Sequence, residues 1–400
     1  MDLAKVNLVD PDLFVPAVPH ALFAELRREH PVFWHEEEDG AGFWSVMRHS
    51  DLVTVNRDSS AFSSYAGGSL MMDWDEETLS QQRLMMLNMD PPMHTRYRRL
   101  VNKGFTPRMV AAMEDKIIER TRELVTTARL KGEFDFVSDI AAELPLQVIA
   151  DLMGVPQEDR HKVFDWSNRM VGANDPEFTD APELALSAAM ELFAYADALT
   201  AERKINPHQD LVSVLAHAEI DGDQLSQLEI DMFFMLLSVA GNETTRNLTS
   251  HGALALIENP DERRRLIENP ALMETAIEEM LRCASPVMHF RRTATKDTVI
   301  GGQQIKAGDK VVFWHASANR DEAVFEEPDR FDVSRSPNDH VAFGGGGSHF
   351  CLGSNLARLE IRIIFSEVRD QLPDLELAGD AKRLRSNFIN GIKHLPVAVG

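Results

Sequence analysis

The chain reads as a mainly α-helical fold with small β-sheets, and three observations predict it. The segment "QLSQLEIDMFFMLLSVAGNETTRNLTSHGALALI" (224–257) is long and apolar on nearly all sides between Met232 and Ala240, the pattern of a helix buried through a core. Amphipathic helical periodicity recurs on both sides of it, and the strand-like pieces are short and few. With 400 residues and 44% hydrophobic content the chain can bury a large core. It has no Gly/Ser-rich or Pro-rich linker, low-complexity tract or fixed repeat, so residues 1–400 are expected to form a single domain.

In chain order, "PVFWHEEEDGAGFWSVMRH" (31–49) sets two apolar runs around an acidic turn, a hairpin pattern. From Pro107 to about Leu152 the periodicity is helical. The long segment follows, with its polar residues gathered in the middle. "LMETAIEEMLRCA" (272–284) carries Ala276, Ile277, Met280 and Leu281 at helical spacing and stops before Pro286. "HFRRTATKDTVI" (289–300) and "DKVVFWHA" (309–316) read as strands, and an irregular stretch rich in Asp, Pro and Arg leads to "FGGGGSHFCLG" (343–353). Beyond it Leu352, Leu356, Leu359 and Ile363 step by four, three and four, so an amphipathic helix begins at or near Cys351.

The 41 basic and 64 acidic residues leave a net charge of -23, which repels nucleic acid and anionic membranes in bulk. "RYRRLVNK" (96–103) is a local basic exception. The N-terminus shows no cationic segment followed by an apolar run, and no stretch reaches the roughly 18 apolar residues of a spanning helix. A soluble, cytoplasmic protein without a membrane anchor is therefore expected. Two distant cysteines, Cys283 and Cys351, form no disulfide framework.

The lone thiol of Cys351 sits behind four glycines where a helix starts. A helix N-terminus stabilises a thiolate, which serves as a nucleophile or a metal ligand. His349 is too close in sequence for triad geometry with it. An axial haem ligand needs a Gly-rich approach that lets a porphyrin lie against the backbone. A phosphate loop would need a Lys-Ser/Thr pair, absent here. A buried small hydrophobe is the remaining reading of the cysteine.

Three further stretches bear on the choice: "AGNETT" (240–245) inside the apolar helix, "EMLR" (279–282) with acid and base at i and i+3, and "PDRF" (328–331). Their order and spacing relative to the cysteine loop resemble a bacterial cytochrome P450 over essentially the whole chain. Phe343 to Cys351 is one glycine longer than the usual family loop, which resembles a subset of actinobacterial members that oxidise sterols and methyl-branched lipids.

The resemblance implies a cytochrome P450 fold, with haem b buried between the long central helix and the cysteine-loop helix and Cys351 as iron ligand. Phe343, Gly344 and Gly353 would form the loop against the porphyrin, and Ala240 and Gly241 the helix opposite, with Gly241 letting that helix open locally for dioxygen. Thr244 and Glu243 would relay protons. His94, Arg98, Arg292 and His349 would bind the haem propionates. Glu279, Arg282 and Arg330 would form a buried ion-pair cluster. The family's pocket segments map to Met72, Trp74, Met86, Leu87, Leu237, Ala240, Val287, Met288, Phe290, Phe388 and Ile389, with Met71 and Met85 nearby. Such Met-rich walls suit a bulky apolar substrate: a sterol or steroid, a terpenoid or a branched lipid.

The activity implied is monooxygenation of that substrate by dioxygen. Electrons would come from a ferredoxin and its reductase, docking at Arg96, Arg99, Lys103, Arg358 and Arg362, and the protein would be a monomer. A peroxide-driven peroxygenase and a non-catalytic haem redox or gas sensor are the competing readings.

Overall fold

A computed structural model describes residues 3–400 except 39, 173, 179–181 and 221. The helices that organise the site are α1 (His49–Arg57), α2 (Met93–Val101), α3 (Glu114–Lys131), α4 (Glu143–Met153), α5 (Arg160–Val171), α6 (Pro182–Ile205), α7 (Gln227–Glu258), α8 (Met273–Ala284) and α9 (Ser354–Gln371).

The expected buried helix is α7. Its 32 residues span about 48 Å at 1.5 Å per residue. Ser226 and Glu229 close its N-terminus as a reciprocal capping box, which satisfies two of the orphan backbone donors there. Against it pack α4, α5, α6, α8 and α9, and the largest apolar cluster, including Phe233, Phe234, Ile277 and Phe365, fills the space between them.

The strand expectations also hold. Val32–His35 (β1) and Phe43–Val46 (β2) pair antiparallel around the acidic turn, with Val32 opposite Val46. They join Phe62–Ser63 (β3), His289–Ala294 (β4) and Lys310–Trp314 (β5) in one sheet of order β1-β2-β5-β4-β3. The β2–β5 pair is parallel; the other pairs are antiparallel. The helical reading of 107–152 is interrupted by the short strand Glu133–Asp135, which pairs with Pro396–Ala398.

One expectation changes and another is sharpened. The stretch 184–205 of α6 is long and apolar enough, by length and composition, to cross a membrane. It packs on α5 and α7 through Ala188, Leu192, Ala196 and Thr200, one stripe at helical spacing, while Leu186 and Met190 are exposed. The helix after the cysteine starts at Ser354, three residues beyond Cys351, with Gly353 as its N-cap.

Candidate active site

Leu237, Ala240, Gly241, Thr244, Thr245 and Leu248 recur every three and one residues along α7, so they share a stripe, and this stripe faces a cavity. That is why Ala240 is exposed in the middle of a buried helix. Facing it are the cysteine loop, with Phe343, Gly344, His349, Cys351 and Gly353, and the first turns of α9. His94 and Arg98 of α2, Arg292 of β4, Met86, Leu87, Val287 and Phe290 complete much of the lining.

The loop geometry explains its glycines. Gly344 to Gly347 all hold φ between +66° and +102°, a region other residues enter only with strain. A Cβ on Gly347 would lie 2.3 Å from the Asn56 carbonyl oxygen at the end of α1. Asn56 donates to the Gly344 carbonyl, and Arg57 Nε donates to that of Gly345 at 3.2 Å. The Cys351 backbone N–H donates to the Phe343 carbonyl at 3.0 Å, closing the loop. Burial pushes the Cys351 thiol up, while the Gly353 N–H and the Arg98 and Arg358 charges favour the thiolate.

One end of the cavity is cationic. His94 and His349 meet at a tilt with ring centroids 4.2 Å apart, and Arg98 donates to the Ser348 carbonyl at 3.1 Å. Arg292, 3% exposed, donates to Asn56 Oδ1 at 2.9 Å. Burial pushes Arg292 down to about 10; burial and then Arg98 bring His94 to about 4. Among the described residues neither Arg98 nor Arg292 forms a direct ion pair with a carboxylate, although the Asp90 charge favours the Arg292 cation from a distance, so two guanidinium groups face the cavity with room for an anion. Arg291 lies on the other face of β4, bound to Asp73 at 2.8 Å.

Several sequence-predicted residues lie elsewhere. Glu243 points away from the cavity into an ion pair with Arg246, whose guanidinium also donates to Asn168 of α5 at 2.7 Å. Thr244 lines the cavity, and its hydroxyl donates to the Ala240 carbonyl at 2.8 Å. The helix is unbroken at Gly241; the missing Cβ there admits Ile149, whose Cδ1 would lie 2.6 Å from one.

The wall needs correction at five positions. Met72 is 52% exposed, and Trp74 packs beside Gly68. Met288 belongs to the apolar cluster of Phe14 and Trp314 behind the sheet. Phe388 meets Phe290 edge-on from behind, at 5.7 Å, and the buried Ile389 pairs through its backbone with Val287. None of the five lines the cavity. Of their neighbours, Met71 is core.

The ion-pair cluster keeps two of its three members. Arg282 binds Glu279 at 2.7 Å with both side chains fully buried. The second cation is Arg335, at 3.0 Å from Glu279; Arg330 is half exposed, pairs with Glu327, and contributes only its carbonyl, to Arg282 and Arg335. Of the basic docking candidates, Arg358 and Arg362 pair with Glu278 and Glu114, and Arg96 and Arg99 are exposed. The Lys103 side chain lies outside the described residues.

Sequence reasoning missed Asn56, Ser64 (3.3 Å from His349 Nε2), Thr245, His315 and Glu360. For Thr245 and Glu360 a signal existed: both fall on helical stripes that also carry named site residues.

The pattern decides the family: the profile described as Cytochrome P450 matches residues 15–368. The chain belongs to the cytochrome P450 family. It is 45% identical to the steroid C26-monooxygenase of Rhodococcus jostii, over 98% of this chain and 84% of that protein. It is 40% identical to the linalool 8-monooxygenase of Pseudomonas putida, over 99% of each. A solved Mycobacterium marinum cytochrome P450 in complex with pseudoionone superimposes with a TM-score of 0.90 at 42% identity, covering 95% of this chain and 94% of that one. This P450 is thus a monooxygenase of a family that binds haem b and hydroxylates apolar substrates. The residues present fit that cofactor: a thiol behind a glycine loop, an apolar stripe facing it, and two guanidinium groups without a direct ion-pair partner.

Proposed function

We propose that this P450 is a haem-thiolate monooxygenase that hydroxylates a bulky, methyl-branched apolar substrate, a steroid or terpenoid, using dioxygen and electrons from a ferredoxin. The observation that carries it is the cavity itself, with Cys351 on one side, the α7 stripe facing it, and apolar side chains beyond. The names of the relatives, acting at C26 of a steroid and at C8 of linalool, support the substrate class.

Bound at this site, haem b supplies activation of dioxygen, with the overall balance R–H + O2 + 2 H+ + 2 e− → R–OH + H2O. Cys351 would hold the iron, its charge tuned by the Gly353 N–H and by Arg98 and Arg358. Arg98 and Arg292, with His94 and His349 beside them, would bind the propionates, because among the described residues no carboxylate forms a direct ion pair with either arginine. Thr244 offers its oxygen to the cavity while its proton is held by Ala240. Leu237, Val287 and Phe290 would exclude water from the substrate and place it. Arg96 and Arg99 would meet an acidic ferredoxin through weak, salt-sensitive contacts.

The ferrous carbon monoxide difference spectrum tests this reading. A Soret band at the long-wavelength position of thiolate ligation is expected, lost in Cys351→Ser. A wild-type band at the shorter wavelength of histidine or thiol ligation would overturn it. Titration with linalool, pseudoionone or cholesterol should then give a spin-state shift.

A further inference from the structure

Asn56 belongs to none of the motifs that point to the site, yet it lines the cavity from the last turn of α1 and is 5% exposed. Its side chain touches both parts of the cradle at once. Nδ2 donates to the Gly344 carbonyl, and Oδ1 accepts from Arg292 Nη2 at 2.9 Å. A guanidinium can only donate and a carbonyl can only accept, so the two partners fix which way the carboxamide faces. An ionised carboxylate could serve the first partner alone, and an aliphatic side chain could serve neither.

The bond to Gly344 falls one peptide unit from the Phe343 carbonyl, which accepts from the Cys351 N–H at 3.0 Å. A continuous path therefore runs from the Arg292 guanidinium, through one carboxamide, to the peptide units that close on the cysteine. The other groups that hold the guanidinium are neutral too. Arg292 Nη1 donates to the Arg291 carbonyl at 2.7 Å, and its Cζ lies 5.3 Å from the centre of the Phe313 ring. His315, which also lines the cavity, is brought down to about 3 by burial and then by the Arg292 charge, so it is neutral at pH 7. Asn56 thus orients the cation without cancelling its charge, and an Asp there would do both.

We propose that Asn56 is a positioning residue that sets the Arg292 cation and the cysteine loop in one geometry, so that anion binding at Arg292 and ligation by Cys351 are coupled. This rests on the haem-thiolate reading, in which one cofactor would meet both ends. A propionate drawn to Arg292 then favours the ordered loop, and the ordered loop strengthens Arg292 as an anion site. By linkage the two effects are equal.

Two rates measured on the holoenzyme test this: haem transfer to excess apomyoglobin, and the drift of the ferrous carbon monoxide band from its long-wavelength to its short-wavelength position. Asn56→Leu removes both bonds at similar volume and should speed each process roughly tenfold. Asn56→Asp keeps the shape, cannot donate to Gly344, and cancels the Arg292 charge, so it should release haem at least as fast. A residue that only filled space would tolerate that change. Arg292→Lys keeps the charge without the planar fork and should also speed both processes. The coupling is read from the double variant of Asn56→Leu with Arg292→Lys. Its band drift should stay within about twofold of the faster single variant and fall short of the product of the two factors.

Wild-type rates in both Asn56→Leu and Asn56→Asp, or factors that multiply in the double variant, would overturn the proposal. If Asn56→Leu takes up no haem, Asn56→Ser replaces it in the cycle and the same outcomes decide. Failure of the wild-type carbon monoxide test would instead overturn the haem-thiolate reading. A wild-type band at the thiolate position together with multiplying factors would overturn the role of Asn56 alone.

Discussion

Around Cys351 four consecutive glycines hold positive φ, a carboxamide from another helix grips the first of their carbonyls, and the buried Arg292 and half-buried Arg98 line the cavity without a direct ion-pair partner. The wall of Met86, Leu87, Leu237, Val287 and Phe290 contains no such requirement; another apolar side chain of similar volume would satisfy any one position. The cradle is specified by backbone conformation and charge, which few residue types can meet. The wall is specified by shape, which many can. The first should therefore break sharply under conservative change, and the second should shift its selectivity by degrees.

The largest effect is expected where charge is most deeply buried. Glu279→Ala strands Arg282, which is fully buried, and Arg335 beside it. A loss of about 3–5 kcal/mol follows from leaving a buried cation uncompensated. Chemical denaturation and haem content of the purified protein should both register it. A change under about 1 kcal/mol would show the cluster to be open to water.

Gly347→Ala probes the backbone half of the comparison. It forces a Cβ into φ +82° and against the Asn56 carbonyl at 2.3 Å. Destabilisation of about 2 kcal/mol or more is expected, with reduced haem retention. Gly379→Ala, far from the cavity lining, is the control, since a Cβ there meets only the Pro396 side chain at an ordinary 3.5 Å and no positive φ is involved. Equal effects from the two would mean that the loop tolerates a side chain by moving.

The same division governs which features are legible in the amino-acid sequence. The buried helix, the hairpin, the cysteine loop and the Glu279–Arg282 pair are legible because periodicity, glycine runs and i, i+3 charges act locally along the chain. Arg335 is not, because the choice between Arg330 and Arg335 depends on how an irregular segment folds back on α8. The strand 289–294 turns Arg292 inward and Arg291 outward by simple alternation, so a strand pattern there separates the two arginines. Met72, Trp74, Met288, Phe388 and Ile389 are misplaced by sequence reasoning because an apolar residue near a site looks the same whether it faces the cavity or the core behind it.

The wall can be tested by pairs. Phe290→Ala removes a cavity-lining ring and should weaken binding of an apolar substrate about tenfold, read from the spin-state titration. Met288→Ala, earlier on the same stretch of chain but buried behind the sheet, should cost stability by about 2–5 kcal/mol and leave the titration midpoint within about twofold. Reversed outcomes would put Met288 in the wall after all.

The smallest expected effect is the sharpest check on the ion-pair assignment. Arg330→Ala removes a half-exposed guanidinium whose partner, Glu327, is also exposed. Exposed pairs of this kind contribute little, so the denaturation midpoint should stay close to that of the wild type. The backbone carbonyl of residue 330 still accepts from Arg282 and Arg335 after the substitution. Arg335→Ala, by contrast, takes two hydrogen bonds from the buried Glu279 and leaves it with Arg282, Asn338 and the Asp332 N–H. It should cost several times more than Arg330→Ala in the same denaturation experiment. If the order were inverted, the cation that the sequence motif suggests would be the one holding the core beneath the cysteine loop, and Arg335 would be the surface residue.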